Sequence, residues 1–265
     1  MSNNLKRILT AIVGIPLVLG ALYAGEEALW VVVAVIALGA QWEFLTLLEH
    51  REWPVDRFWA LLAAVGVLSR SWFPDWGLAV TGVGMLYVAW LLRKGVEGRP
   101  LERMAGTLVS LVYPVFLLSF ILDIRAGGSF ALVLLLFGMI WACDTAAYYT
   151  GRSLGRHKLA PTISPNKTWE GAVGGVLGAL LVAFLVRHFW LPGLTPVDAM
   201  GLALIAGVFG QAGDLLESAL KRSAGVKDSG TLLPGHGGML DRFDSIIVAM
   251  PLYAAWLVHV TGLLV

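Results

Sequence analysis

The sequence predicts an all-α, polytopic integral membrane protein with about nine transmembrane helices and a cytoplasmic N-terminus. Three observations lead there. Hydrophobic residues fill 58% of 265 positions and charged ones only 14%, where an average soluble domain is about one quarter charged. The apolar residues come in long runs separated by short polar segments. Lysine and arginine fall overwhelmingly on one side of those runs, as the positive-inside rule requires. Eleven tryptophans add to the case, because indole favours the lipid–water boundary. A formal net charge of +1 gives no bulk attraction for nucleic acid, and none is expected as a partner. Cys143 is the single cysteine, so no internal disulfide can form.

A crossing helix needs roughly 20 mostly apolar residues. The runs that qualify cover about 8–24, 28–48, 58–73, 76–92, 104–122, 128–149, 171–190, 198–216 and 243–263. The third is the weakest, because Ser69-Arg70-Ser71 interrupts it near one end. The first resembles a signal peptide in its Lys6-Arg7 start, but its apolar run is long for one and no small-residue cleavage site follows, so it is expected to stay. Most prolines lie between the runs; Pro16, Pro114 and Pro251 lie inside them and are expected to kink them. With the N-terminus in the cytoplasm, all of the nineteen basic residues except Arg70, Arg125 and Arg187 fall on the cytoplasmic side. The chain divides into N-terminal transmembrane helices over 1–103 and a C-terminal transmembrane catalytic region over 104–265. The latter carries two long cytoplasmic loops, about 150–170 and 217–242, where function is expected to reside.

Four aspartates, Asp144, Asp214, Asp241 and Asp244, sit at the cytoplasmic ends of apolar runs. An acid at the bilayer centre costs about 2.5–3.5 kcal/mol even on lenient scales. Nearer the interface the cost falls, but neighbouring acids repel, so a cation must compensate them. Asp241 and Asp244 are three apart and share a helix face; Asp214 would approach them if its run packs beside theirs. Hard oxygen ligands suit magnesium, which also retains waters and substrate phosphates. A plainer account makes Asp241 a helix cap and Asp244 a first-turn acid favoured by the helix dipole. Glu217 and Lys221 read as an ordinary pair one turn apart. Glu43 stands inside the second run without an evident partner, a candidate functional residue.

Two loops carry the opposite charge. Lys167, in Ser164-Pro165-Asn166-Lys167-Thr168-Trp169-Glu170-Gly171, precedes a helix start, where it does nothing for the dipole but suits an anion bound there. Lys221, Arg222 and Lys227 precede Pro234-Gly235-His236-Gly237-Gly238, whose glycines let backbone N–H groups approach phosphate oxygens. This is no Walker A loop, since the G-K-[ST] ending is absent. His236 beside these acids and bases could bind phosphate or move a proton. The plain alternatives are the positive-inside rule for the lysines and a flexible turn for the glycines. Acids for a metal together with bases for an anion point to phosphoryl or nucleotidyl transfer on a lipid at the membrane.

At this point the sequence resembles a known family, the phosphatidate cytidylyltransferases or CDP-diacylglycerol synthases. The resemblance rests on Ser218-x-Leu220-Lys221-Arg222, then Lys227-Asp228-x-Gly230, then Pro234-x-His236-Gly237-Gly238-x-x-Asp241-Arg242-x-Asp244, with every fixed position of that signature filled. Asp144…Ala147-Tyr148…Gly151-Arg152 and the Ser164–Gly171 motif resemble the family too, although Asn166 stands where a basic residue is frequent. The match is firm over about 140–245; residues before 100 match only as apolar helices. It implies that CTP and phosphatidate give CDP-diacylglycerol and pyrophosphate, with magnesium. It further implies a homodimer in the lipid bilayer of the cell's inner membrane and a site facing the cytoplasm. Asp214, Asp241 and Asp244 would hold the metal, with a second cation such as potassium beside it. Lys221 and Arg222 join these aspartates as catalytic candidates. Asp144, Ser164, Lys167, Ser218, Lys227, Asp228, His236, Gly237, Gly238 and Arg242 are the substrate-binding candidates. A CTP-dependent kinase of a lipid alcohol needs similar groups. A transporter would place charges near the midplane and often carry paired repeats, neither of which is present.

Overall fold

The computed structural model describes residues 3–70, 72, 73, 75–127, 130–235 and 237–262, with side chains from Ile12 onward. His236 lies outside the described residues. The chain is mostly helical: α1 (Asn3–Ala24), α2 (Glu26–Glu49), α3 (Arg57–Leu68), α4 (Trp76–Lys94), α5 (Pro100–Leu111), α6 (Leu117–Ala126), α7 (Phe130–Leu154), α8 (Trp169–Phe189), α9 (Pro196–Leu204), α10 (Gly210–Ser223) and α11 (Leu240–Trp256). Among the described residues each predicted run lies largely on one of these helices or on a joined pair, although the third, 58–73, runs past the end of α3 at Leu68. The departure from an all-helical chain is a short antiparallel hairpin between α7 and α8, β1 (Lys158–Ala160) with β2 (Ser164–Thr168), pairing Lys158 with Thr168 and Ala160 with Ser164.

Among the described residues seven helices are long and apolar enough to cross a membrane, which fits a multi-pass membrane protein. Helix α3 falls short of that length: it has 12 residues, about 18 Å at 1.5 Å per residue against a hydrocarbon core of about 30 Å. Helix α1 has 22 residues, of which Ile12–Ala24 is the apolar part whose side chains are described.

Pro114 does not end its helix. It sits in a π turn, Val112–Phe116, that joins α5 to α6; the wider turn re-satisfies backbone that proline frees. A second π turn, Ile205–Phe209, joins α9 to α10, and a third, Leu257–Thr261, follows α11. Pro16 and Pro251 lie inside α1 and α11. Helix starts carry the expected local chemistry. The Thr168 hydroxyl accepts the Gly171 N–H at 3.1 Å to cap α8. Thr195 and Asp198 form a reciprocal capping box on α9, with Pro196 at the first helical position.

The chain forms two compact units: Met1–Leu122 with Ser223–Arg242, and Asp123–Arg222 with Phe243–Val265. In the first, α2 packs with α1, α3 and α5, and α3 with α4. One buried polar cluster is fully paired: Tyr87 donates its hydroxyl to Asp56 at 2.9 Å, and Arg103 forms a 2.5 Å ion pair with the same carboxylate.

In the second unit α7 and α8 run antiparallel in close contact, because small residues line both faces. A Cβ on Gly178 would lie 2.7 Å from Ala146 Cβ and 2.8 Å from the Ala142 carbonyl oxygen; one on Gly175 would lie 2.9 Å from Cys143 Sγ; one on Gly171 would lie 2.9 Å from the Ala147 carbonyl oxygen. Lipid provides no hydrophobic drive between helices, so such backbone approach and its dispersion contacts hold the pair together. Outward, Val173, Leu177, Leu181 and Leu185 leave an apolar exposed stripe on α8.

Gly178→Val should therefore destabilise the protein by about 1–3 kcal/mol through overpacking. Gly82→Ala in α4, where an added Cβ meets nothing within 4 Å, should be neutral or slightly stabilising. Thermal unfolding of both variants in detergent checks the contrast.

Candidate active site

In the second unit three of the sequence motifs converge. Strand β2 delivers Ser164 and Lys167, α7 carries Asp144, and α10 carries Asp214, Ser218, Lys221 and Arg222. The Lys167 ammonium lies 2.6 Å from Asp214 Oδ2, an ion pair in which both side chains keep partial exposure. The contact is too oblique to count as a hydrogen bond, since Lys167 Nζ has no aligned acceptor. Ser218, one turn further along α10, donates its hydroxyl to Asp214 Oδ1 at 3.4 Å.

Helix α11 brings Asp244 to the same place. It can do so because residue 213 is glycine: a Cβ there would stand 2.5 Å from the Asp244 carbonyl oxygen and 3.1 Å from Val248 Cβ. The Asp244 carboxylate lies in the field of Asp214 and Asp144, which repel it, and of Lys221, which attracts it. This patch gathers three acids and two lysines from four elements.

Lys221 is itself held. Its ammonium is 2.5 Å from Glu217 Oε2, and Glu217 is fully buried. The sequence spacing suggested an ordinary pair. At 0% exposure it is instead a buried pair, where removing one partner typically costs about 3–5 kcal/mol. Burial of a mid-helix glutamate leaves no trace in the 217/221 spacing, so spacing alone missed it.

The first unit holds the glycine-rich segment and the candidates Lys227, Asp228, Gly237, Gly238, Asp241 and Arg242. Lys227, Asp228 and Arg242 are exposed. Gly235 and Gly237 adopt φ of +78° and +82°, a backbone region that disfavours other residues. Leu233 N–H bonds the Gly237 carbonyl at 3.0 Å, closing a tight turn. Asp241 Oδ2 accepts the Ser229 N–H at 3.1 Å and the Gly238 N–H at 2.8 Å, so its carboxylate orders the loop before α11. Glu43, whose partner the sequence did not reveal, accepts the Ser229 hydroxyl at 3.1 Å and the Leu240 N–H at 2.9 Å. These partners lie nearly two hundred residues away, beyond any local pattern.

Among the described residues no group of three or more His, Cys, Asp or Glu side chains is gathered as a metal cage. The donor chemistry nonetheless fits magnesium. Asp214 and Asp244 offer hard carboxylate oxygens on two touching helices, and magnesium commonly takes one or two carboxylates and completes its shell with phosphates and water.

Known proteins share this sequence over most of its length. A family model described as "Cytidylyltransferase family" matches residues 5–260. The phosphatidate cytidylyltransferase of Brucella suis biovar 1 (strain 1330) is 39% identical over 262 residues, covering 95% of this chain and 92% of that protein. The protein of the same name from Staphylococcus haemolyticus (strain JCSC1435) is 34% identical over 250 residues, covering 93% and 96%. That from Staphylococcus aureus (strain COL) is 45% identical over 148 residues, 56% of each chain.

Asp241→Ala should release the two amides that its carboxylate holds. Hydrogen exchange at Ser229 and Gly238 is expected to quicken by roughly tenfold to a hundredfold, the loss of a bond to a charged acceptor. Amides in the middle of α8 should keep their protection.

Proposed function

The chain belongs to the cytidylyltransferase family, and on that premise we propose that it transfers a cytidylyl group from CTP to phosphatidate, giving CDP-diacylglycerol and pyrophosphate. The observation that carries this reading is the meeting of Lys167, Asp214 and Asp244 from three separate motifs, with Lys221 in the same field. Two anionic reactants must be brought together, so cations beside carboxylates that can share a divalent ion match the need.

A phosphatidate phosphate oxygen attacks the α-phosphorus of CTP in line. A new P–O bond forms, the α–β bridging P–O bond breaks, and its electron pair leaves with pyrophosphate. Phosphatidate is already ionised near neutral pH, so no strong base is required. Charge neutralisation and alignment carry the acceleration. Magnesium on Asp214 and Asp244 supplies Lewis-acid neutralisation of the polyphosphate when bound. Lys167 and Lys221 neutralise phosphate oxygens; the Asp214 and Glu217 contacts hold both ammonium groups in place beforehand. Arg222 adds positive charge on the same helix as Lys221; in the first unit Lys227 and Arg242 are exposed cations, and the Gly237-Gly238 backbone is suited to phosphate approach. Asp241 contributes by ordering that backbone.

The same reading places the enzyme in the inner membrane with the 150–170 and 217–242 loops in the cytoplasm. The one-sided basic residues support this orientation. That orientation requires the 12-residue α3 to cross where the bilayer thins around it before α4 returns, giving nine passes. A homodimer is proposed on the family resemblance.

Purified protein in detergent with labelled CTP and phosphatidate should yield a labelled lipid with magnesium and none with chelator. A long-chain alcohol in place of phosphatidate, with CTP labelled at the γ-phosphate, should yield no labelled lipid; a labelled phosphoalcohol would instead favour a lipid kinase. Asp214→Asn and Asp244→Asn should each lower kcat by about 10²-fold or more while the protein still inserts, as expected when transition-state neutralisation is removed. Near-normal turnover in both would remove the metal assignment.

A further inference from the structure

The chemistry above makes no use of Glu43, yet few side chains are more deeply placed. It lies within α2, a helix apolar enough to cross a membrane, and is 2% exposed. A carboxylate there is costly unless it is bonded. Its donors stand at the two ends of the glycine-rich loop, the second of them being the first residue of α11. Oε2 takes the Ser229 hydroxyl from the incoming arm and the Leu240 N–H from the outgoing arm. Oε1 has no hydrogen-bond partner and faces Gly230, where an added Cβ would collide with it. A Cβ on Gly238 would strike Glu43 Oε2 and Ser229 Oγ. These two glycines of the signature are thus accounted for by one carboxylate, which needs bare backbone on either side.

Asp241 grips the same arms at different atoms, Ser229 N–H and Gly238 N–H. Two carboxylates therefore clamp the loop at its neck, with Ser229 buried between them. Directly outside the neck stand the exposed Lys227, Asp228 and Arg242; directly inside it lies the turn through Gly235 and Gly237.

We propose that Glu43 is a positioning residue for the nucleotide half of the reaction: it fixes the Ser229–Leu240 neck and so sets how the loop's own cations and N–H groups are presented to a nucleotide phosphate. It touches no substrate. The inference rests on the cytidylyl-transfer reading for its consequence, but the clamp itself is a matter of hydrogen bonds.

The test uses the full-length enzyme in detergent with Glu43→Ala, Glu43→Gln and Ser229→Ala. Glu43→Ala should raise the CTP KM by roughly tenfold, as for loss of bonds to a charged acceptor, with the phosphatidate KM little changed. Glu43→Gln keeps an acceptor oxygen and should recover most of that loss. Ser229→Ala removes one arm and should fall between, which keeps the test alive if Glu43→Ala does not fold. A fall in kcat that tracks lost folded protein and a lowered Tm, with CTP KM unchanged, would show a packing role only and overturn the proposal. So would unchanged kinetics in all three variants. Should the unaltered enzyme make no CDP-diacylglycerol at all, the reaction reading falls on its own. Amide exchange over 226–240 in Glu43→Ala then decides the clamp: faster exchange upholds it and unchanged exchange ends it.

Discussion

An ionised carboxylate inside an apolar helix must be met by donors, because hydrocarbon supplies none. This chain places several such acids in its helices, and each answer to that demand shapes the molecule. Glu43 on α2 draws in the Ser229 hydroxyl and the Leu240 N–H. Asp214 on α10 draws in Lys167 from β2. Glu217 holds Lys221. The polar loops are ordered because buried acids need their donors, and the acids are tolerated because the loops supply them. Stability and chemistry are served by the same contacts.

The second ingredient is the absence of side chains. Glycine at 213 lets α10 and α11 come close enough to set Asp214 beside Asp244, and the glycines of α8 seat it against α7 so that β2 ends near α10. In a soluble protein such approach would be helped by apolar burial. In lipid, close van der Waals packing must suffice, which favours small residues at the contact. The geometry of the candidate site is thus specified as much by what residues 171, 175, 178 and 213 lack as by what the aspartates bear.

Much of this was legible in the sequence. The long apolar runs foretold each helix, and the crowding of acids and bases into a few short segments marked the site, because both signals are local. What stayed hidden was long-range or dimensional. Glu43 looked partnerless since its donors lie in the loop before α11 and at the first residue of that helix. Glu217 looked like an ordinary helical pair since burial leaves no mark on an i,i+4 spacing. Asp241 looked like a cap or a metal ligand, and its bonds to Ser229 and Gly238 required knowing how the loop folds back. The hairpin β1–β2 escaped notice because its strands are three and five residues long, too short for alternation to register against the prolines around them. The shortness of α3 was foreshadowed by the Ser69-Arg70-Ser71 interruption.

The π turn at Ile205–Phe209 has a bearing on how such a site arises. A π turn holds one residue more than the α-helical turn it replaces, so every side chain after it is rotated by roughly 100° relative to an uninterrupted helix. Asp214, Ser218 and Lys221 all lie downstream on α10. Were the same residues wound as continuous α-helix, Asp214, Ser218 and Lys221 would still share one face, but that face would point about a quarter turn away from the partners it meets here.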